Sequence, residues 1–164
     1  MKILILYASR KGWTQKSAET MSGYLNTLEQ VSAQSCNLRM ATSSTIKIEE
    51  FDIVILGCSI MAGFWKPGTK KFLRKNKHKI NKLALYVSAG ATIEKANQGK
   101  CSLEEAVNLA IRKYIDPVKK RLGVKTISDG AFGGQYDSNG RIIFNSWKKE
   151  DVITWTQKLV SNLA

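Results

Sequence analysis

Unbroken apolar runs alternate along this chain with stretches where apolar residues recur every three or four positions. Lys2 to Ala8 holds the run Ile3-Leu4-Ile5-Leu6-Tyr7, which predicts a strand covered on both faces. Ala18, Met21, Leu25 and Leu28 then recur at helical spacing with polar residues between them. Val31 to Leu38 predicts a weaker second strand. Ile53 to Cys58 and Leu83 to Ser88 are again continuously apolar and predict two more buried strands, with a last central strand over Lys125 to Phe132. Pro67 stands where proline is favoured, at the first position of a basic helix. Ser102-Leu103-Glu104-Glu105 has the spacing of a capping box ahead of Ala106, Leu109 and Ala110. Pro117 should end or kink that helix. Asn139-Gly140 signals a turn before Ile142-Ile143-Phe144. Val152, Trp155, Leu159, Val160 and Leu163 mark a final amphipathic helix.

Strands that alternate with helices, and that are apolar throughout, predict an α/β fold. Residues 1–164 read as a single domain built on a doubly wound, five-stranded parallel sheet, with helices on both faces and right-handed crossovers. In such sheets ligands bind beyond the carboxyl ends of the strands, where the strand order reverses. The search for function therefore narrows to the loops that follow strands.

Charge changes this picture more than composition does. The 164 residues carry 26 Lys and Arg against 13 Asp and Glu, a formal charge of +13. No acidic residue lies between Asp52 and Glu94, while Lys66, Lys70, Lys71, Arg74, Lys75, Lys77, Lys79 and Lys82 all do. Such a face attracts anions, although a charge run is as often only a solvated helix face. Cys36, Cys58 and Cys101 are widely spaced and form no CxxC pair, which argues against a zinc site or dithiol centre and for reduced thiols. His78, the one histidine, lies in a lysine-rich stretch and builds no metal site alone. The opening apolar run is too short for a secretory signal. The longest uncharged stretch, Ile53 to Trp65, is too short to span a bilayer. A cytoplasmic protein is the expectation.

Three loops fall at the same end of the expected sheet. The first is Ser9-Arg10-Lys11-Gly12-Trp13-Thr14, between a strand and a helix. Helix-start N–H groups lack partners and sit at the positive end of the helix dipole, and hydroxyls and glycine complete a phosphate cradle. Neither the Walker A pattern nor G-x-G-x-x-G is present, and hydroxyl-rich turns also cap helices without any ligand. The second loop runs through Ser59, Ile60, Met61, Ala62, Gly63, Phe64 and Trp65. Phe64 or Trp65 fits stacking on a flat ring, and either fits packing on a neighbouring helix as well. The third, Ser88, Ala89, Gly90, Ala91 and Thr92, is small enough for its backbone to reach a ligand edge. Together these loops describe a phosphate and a planar ring; FMN fits that description. Cys58 ends a strand near the expected ring, where a small buried residue is the simpler reading than a redox group.

The pattern strand, S-x-x-G-x-T, helix resembles the phosphate loop of flavodoxins. "DIVILGCSIMAGFWKPGTKKFL", "LALYVSAG", "GAFGGQYD" and "SWKKEDVITWTQKL" resemble the flavodoxin-domain branch that includes menaquinone-dependent protoporphyrinogen oxidase. The resemblance implies a flavodoxin-like sheet, FMN held at its phosphate by residues 9–14, and a ring flanked by residues 59–65 and 88–92. It implies electron transport with a redox partner protein. The alternative is oxidoreductase action on a small carboxylated substrate with a quinone or other acceptor. Two features depart from the two groups. Residues 135–148 form a short, polar segment where oxidases of that branch carry a longer basic, apolar insertion. The strong basic charge departs from acidic electron-carrier flavodoxins.

No catalytic acid–base pair is evident in the loops, in keeping with a carrier or reductase rather than a hydrolase. Lysines near the ring should favour reduced, anionic flavin and so raise its potential above that of an acidic carrier. The basic helix after Pro67 is expected to dock an acidic partner or substrate, and contact with an anionic membrane surface is a further expectation. A receiver-type signalling domain would need acidic residues after the first strand and an aspartate ending the third; Tyr7-Ala8-Ser9 and Leu56-Gly57-Cys58 stand there instead. No nucleic-acid motif accompanies the charge, so specific nucleic-acid binding is not expected.

Overall fold

The computed structural model describes residues 1–41 and 45–163. Its frame is a parallel sheet of β1 (Lys2–Ala8), β2 (Ser32–Asn37), β3 (Ile53–Met61), β5 (Leu83–Ser88) and β6 (Ser128–Phe132), in the order β2-β1-β3-β5-β6. The two-residue strand β4 (Phe64–Trp65) folds back antiparallel on the end of β3. The helices are α1 (Trp13–Leu25), α2 (Leu38–Ala41), α3 (Thr69–Asn76), α4 (Gly90–Asn97), α5 (Leu103–Ala110), α6 (Asp116–Leu122) and α7 (Lys149–Ser161). A separate hairpin, β7 (Gln135–Ser138) with β8 (Arg141–Asn145), stands between β6 and α7. No helix among the described residues is long and apolar enough to cross a membrane.

The unbroken apolar runs are explained by two cores, one on each face of the sheet. Alternate residues of each strand divide between them. Leu4, Leu6, Val54, Leu56, Leu85 and Val87 face Phe72 and Leu73 of α3, Ile93 of α4, and Ala106, Ala110 and Val118. Ile3, Ile5, Ile53, Ile55, Ala84 and Tyr86 face Ala18, Met21 and Leu25 of α1 and Val152 and Leu159 of α7. β1 and β5 have the bounds their runs predict, because an unbroken apolar run persists only while both faces stay covered.

Pro67 departs from expectation: it does not open α3; Gly68, at φ 91°, is the N-cap and the helix begins at Thr69. The capping box at Ser102 and Glu105 starts α5 as expected. Its α-helical pattern stops at Ala110, a π-helical turn covers Ile111–Ile115, and α6 follows with Pro117 in its first turn. Leu28 lies past the end of α1, packed against the second core.

Strand order reverses at β1: the chain goes from β1 outward to β2, then returns to β3 on the other side. The carboxyl ends of β1, β3 and β5 meet there, and the hairpin β7–β8 rises beside them.

Candidate functional site

A cavity of about 620 Å³ opens beyond these strand ends. That volume falls within the roughly 300–1,000 Å³ of small-molecule sites. Its lining draws on all three expected loops: Ser9, Arg10, Lys11, Trp13 and Thr14; Ser59, Ile60, Met61 and Ala62; Ser88, Gly90 and Ala91. Gly134, Gln135, Tyr136, Asp137 and Phe144 complete it.

The first loop turns on Ser9, whose hydroxyl accepts from the Gly12 amide at 2.9 Å. Gly12 itself, at φ 88°, is the N-cap of α1 and stands outside the lining. It supplies the left-handed turn, where a side chain would be strained. No side chain caps α1, and its first turn holds no acidic residue. The positive helix end and its unpaired amides therefore face the loop that carries Arg10 and Lys11. Thr14 is fully buried; its hydroxyl donates to Ser88 Oγ at 2.9 Å, and its carbonyl accepts from the Tyr86 hydroxyl at 2.8 Å. The end of β5 thus fixes the start of α1. On the other side of Trp13, the Lys16 ammonium lies 4.8 Å from its ring and 4.3 Å from that of Trp147, whose indole N–H donates to Ser17.

Two basic side chains tie the first loop to the second. Arg10 donates to the carbonyl of Ser59 at 2.8 Å and to that of Phe64 at 3.3 Å. Lys66 reaches back to the Ser9 carbonyl at 2.5 Å. The second loop is a tight hairpin with positive φ at Ala62 and Gly63, which joins β3 to β4. This places its aromatic residues away from the cavity wall. Trp65 is buried and donates its indole N–H to the Tyr114 carbonyl at 2.8 Å, packing on the helical segment after α5. Phe64 is 71% exposed at the rim, and Gly63 also stands outside the lining. In the third loop Ala89 and Thr92 are buried outside the lining, the Ala89 amide bonding to the Phe132 carbonyl. Cys58 is fully buried and likewise outside it; its sulfur accepts from the Lys66 amide, and burial pushes its thiol above the ordinary range.

The fourth wall follows β6 and was not among the three loops singled out from the sequence. Ser146, fully buried, holds the base of β7–β8 against the third loop, donating to the Gly90 carbonyl at 2.9 Å and accepting from the Gly134 amide at 3.2 Å. The glycines here are a matter of space. A Cβ on Gly90 would meet Phe144 at 3.2 Å and the Gly134 amide at 3.3 Å; one on Gly133 would lie 2.0 Å from the Ser146 carbonyl. The signal available in the sequence was Gly133-Gly134 next to an Asn-Gly hairpin carrying Tyr136 and Phe144. Among the described residues no group of acids, histidines and cysteines could hold a metal ion.

What the arrangement offers is a polar end, rich in amides and cations, joined to an end of small residues, methionine and aromatic rings. Asp137 is the one acidic residue in the lining, against Arg10 and Lys11.

Structural comparison places the fold. Oxidised Flavodoxin 1 from Bacillus cereus is similar at a TM-score of 0.58 and 16% identity, over 99% of this chain and 97% of that one. A short-chain flavodoxin associated with a non-canonical PDU bacterial microcompartment is similar at 0.61 and 13%, over 100% and 99%. The NAD(P)H:quinone oxidoreductase from Methanothermobacter marburgensis is similar at 0.57 and 14%, over 100% and 99%. No curated protein matches by sequence. The flavodoxin domain family matches residues 4–139, most of the chain, and the protein belongs to that family.

Proposed function

We propose that this protein binds FMN in the cavity at the switch point and exchanges electrons with a redox partner. The single observation that carries this reading is the uncapped, acid-free start of α1, which opens with Lys11 beside it into a cavity whose far wall is aromatic. The donor set suits a dianionic phosphate at one end, and the close-packed Gly90 and Gly134 suit a flat ring at the other. FMN, when bound, supplies one- and two-electron chemistry; the protein's part is to hold and tune it. The α1 amides and Lys11 would hold the phosphate. Arg10 and Lys66 fix the backbone of the first loop against the second before the ligand arrives, leaving the Lys11 side chain free to turn toward it. With two cations against one carboxylate in the lining, the site should favour added negative charge on the ring. A potential of the bound flavin as low as that of acidic carriers would count against this.

The partner is read from charge. Lys70, Lys71, Arg74 and Lys75 are exposed on α3, and no acidic residue lies between Asp52 and Glu94. An acidic protein surface fits that face, and its electron-transfer rate should fall as salt rises.

A second reading, kinship with the protoporphyrinogen oxidase branch, draws support from the rim. Met61, Phe64, Tyr136, Ile142 and Ile143 are all large, apolar and exposed. The hairpin segment 135–148, read from the sequence as polar, therefore exposes the apolar side chains of Tyr136, Ile142 and Ile143. An apolar substrate bearing carboxylates, with a quinone as acceptor, fits a basic site with such a rim, as does contact with an anionic membrane surface. Turnover of a porphyrinogen with quinone separates this reading from a pure carrier. For the shared cofactor, the visible spectrum of the purified protein is the test. Flavin bands, with a released pigment that migrates as FMN, support the reading. A colourless protein that takes up no added FMN overturns it.

A further inference from the structure

We propose that Tyr136, backed by Phe144, is the platform on which the flavin ring stacks, in place of an aromatic residue from the second or third loop. The inference rests on the FMN reading above and deepens it. A planar tricyclic ring stacks well on an aromatic face, and the second loop provides none in the lining: Trp65 is committed to the core and Phe64 points to solvent at the rim. Trp13 of the first loop also lines the cavity, but its ring is engaged by Trp147 at 5.9 Å and by the Lys16 ammonium at 4.8 Å. The hairpin does. Tyr136 and Phe144 both line the cavity and stack on each other, with centroids 5.9 Å apart and planes 28° apart.

The strand register explains how both rings reach the same wall. A two-residue Asn139-Gly140 turn pairs Ser138 with Arg141 and Asp137 with Ile142. An undisturbed ladder would next pair Tyr136 with Ile143. Instead the register shifts, and Tyr136 faces Phe144. The bulge thus re-aims the strand so that an aromatic ring, not an isoleucine, backs the tyrosine. The platform is also rigid at its root, since Ser146 locks the hairpin base to the Gly90 and Gly134 backbone.

Tyr136 is left 50% exposed, and the Lys11 ammonium stands 5.7 Å from its ring centroid. A cation from the phosphate loop over this ring shows that the platform and the phosphate end share one space. In the liganded site Lys11 serves the phosphate and the flavin ring takes the tyrosine face. Stacking a flat heteroaromatic ring on an aromatic side chain adds binding free energy and specificity beyond area burial.

The test is titration of the full-length protein with FMN and, separately, with riboflavin, which has the ring and lacks the phosphate. Flavin fluorescence is followed throughout, because a flavin stacked on tyrosine is quenched. Tyr136→Leu should weaken both ligands by about tenfold, a stacking-sized loss, and leave the bound flavin several-fold brighter than in the wild type. Tyr136→Phe should restore affinity to within about twofold, the ring face being intact, while the bound flavin stays bright, because quenching needs the oxidisable phenol. Phe64→Ala should change neither. Far-UV circular dichroism and thermal melts of the variants establish that the fold persists, as expected for a half-exposed residue on a surface hairpin. If Tyr136→Leu binds and quenches both flavins as the wild type does, the platform is wrong while the cofactor reading stands. Loss confined to FMN would also overturn it, since Tyr136 would then act at the phosphate end. Wild-type protein that binds neither flavin removes the reading and the platform together.

Discussion

Removing one oxygen, by Tyr86→Phe, tests how the site is held. Tyr86 is fully buried in the sheet, within ring-contact distance of Phe132 (5.5 Å) and Trp155 (6.4 Å). Its hydroxyl donates to the Thr14 carbonyl at 2.8 Å and so ties this side chain to the start of α1. The phenyl ring stays, so packing is kept, and the Thr14 carbonyl retains its helical acceptor role. What is lost is a single neutral hydrogen bond in a dry interior, worth about 1 kcal/mol. For a chain of this size that lowers the melting temperature by about 2–4 °C. Burial also holds the Tyr86 hydroxyl well above its ordinary value of 10.0, and Tyr7 is raised as well. A phenol whose folded pKa exceeds its unfolded one lends stability that is full below about pH 10 and is lost as the pH climbs further, because the unfolded chain gives up its proton first. The wild type should therefore lose stability above about pH 10, and the variant should lose less. Urea unfolding across that range measures both effects. A variant as stable as the wild type at neutral pH, with the same alkaline slope, would refute the claim that this hydroxyl anchors the first loop.

Gly57→Ala should be more damaging than Tyr86→Phe, because its Cβ would lie 1.9 Å from the Tyr86 ring; a loss of about 3 kcal/mol is expected in the same urea experiment. Gly133→Ala puts a methyl group 2.0 Å from the Ser146 carbonyl, and backbone cannot swing aside. It should detach the hairpin, seen as faster amide exchange across residues 135–145 than in the sheet. Among the thiols, Cys58 is fully buried and raised by burial, whereas Cys36 and Cys101 are half-buried. Mass-mapped alkylation of the native protein should label Cys58 last, and labelling it first would contradict the burial described here.

The sheet was legible because its strands are buried on both faces, and an unbroken run such as Ile3–Tyr7 has few other meanings. The position of the cavity followed from topology, since loops after β1, β3 and β5 must converge. The aromatic wall was not legible. Nothing in Phe64-Trp65 tells which ring turns inward, because that depends on positive φ at Ala62 and Gly63 and on the distant Tyr114 carbonyl that accepts from the Trp65 indole. The hairpin was hidden for a different reason. Its Asn-Gly turn sets a register that pairs Tyr136 with Ile143, and only the bulge brings Phe144 behind it. Pro117 signalled an interruption of the helix, but its form, a π-helical turn just before the proline, was not legible.

The central claim, that the amide-rich start of α1 with Lys11 grips a phosphate, is tested most directly by calorimetry comparing FMN with riboflavin at low salt. The account expects FMN to bind at least about a hundredfold more tightly, the order expected when charge-assisted hydrogen bonds to a dianion are added, with the gap narrowing as salt rises. Equal affinities for the two flavins would contradict it.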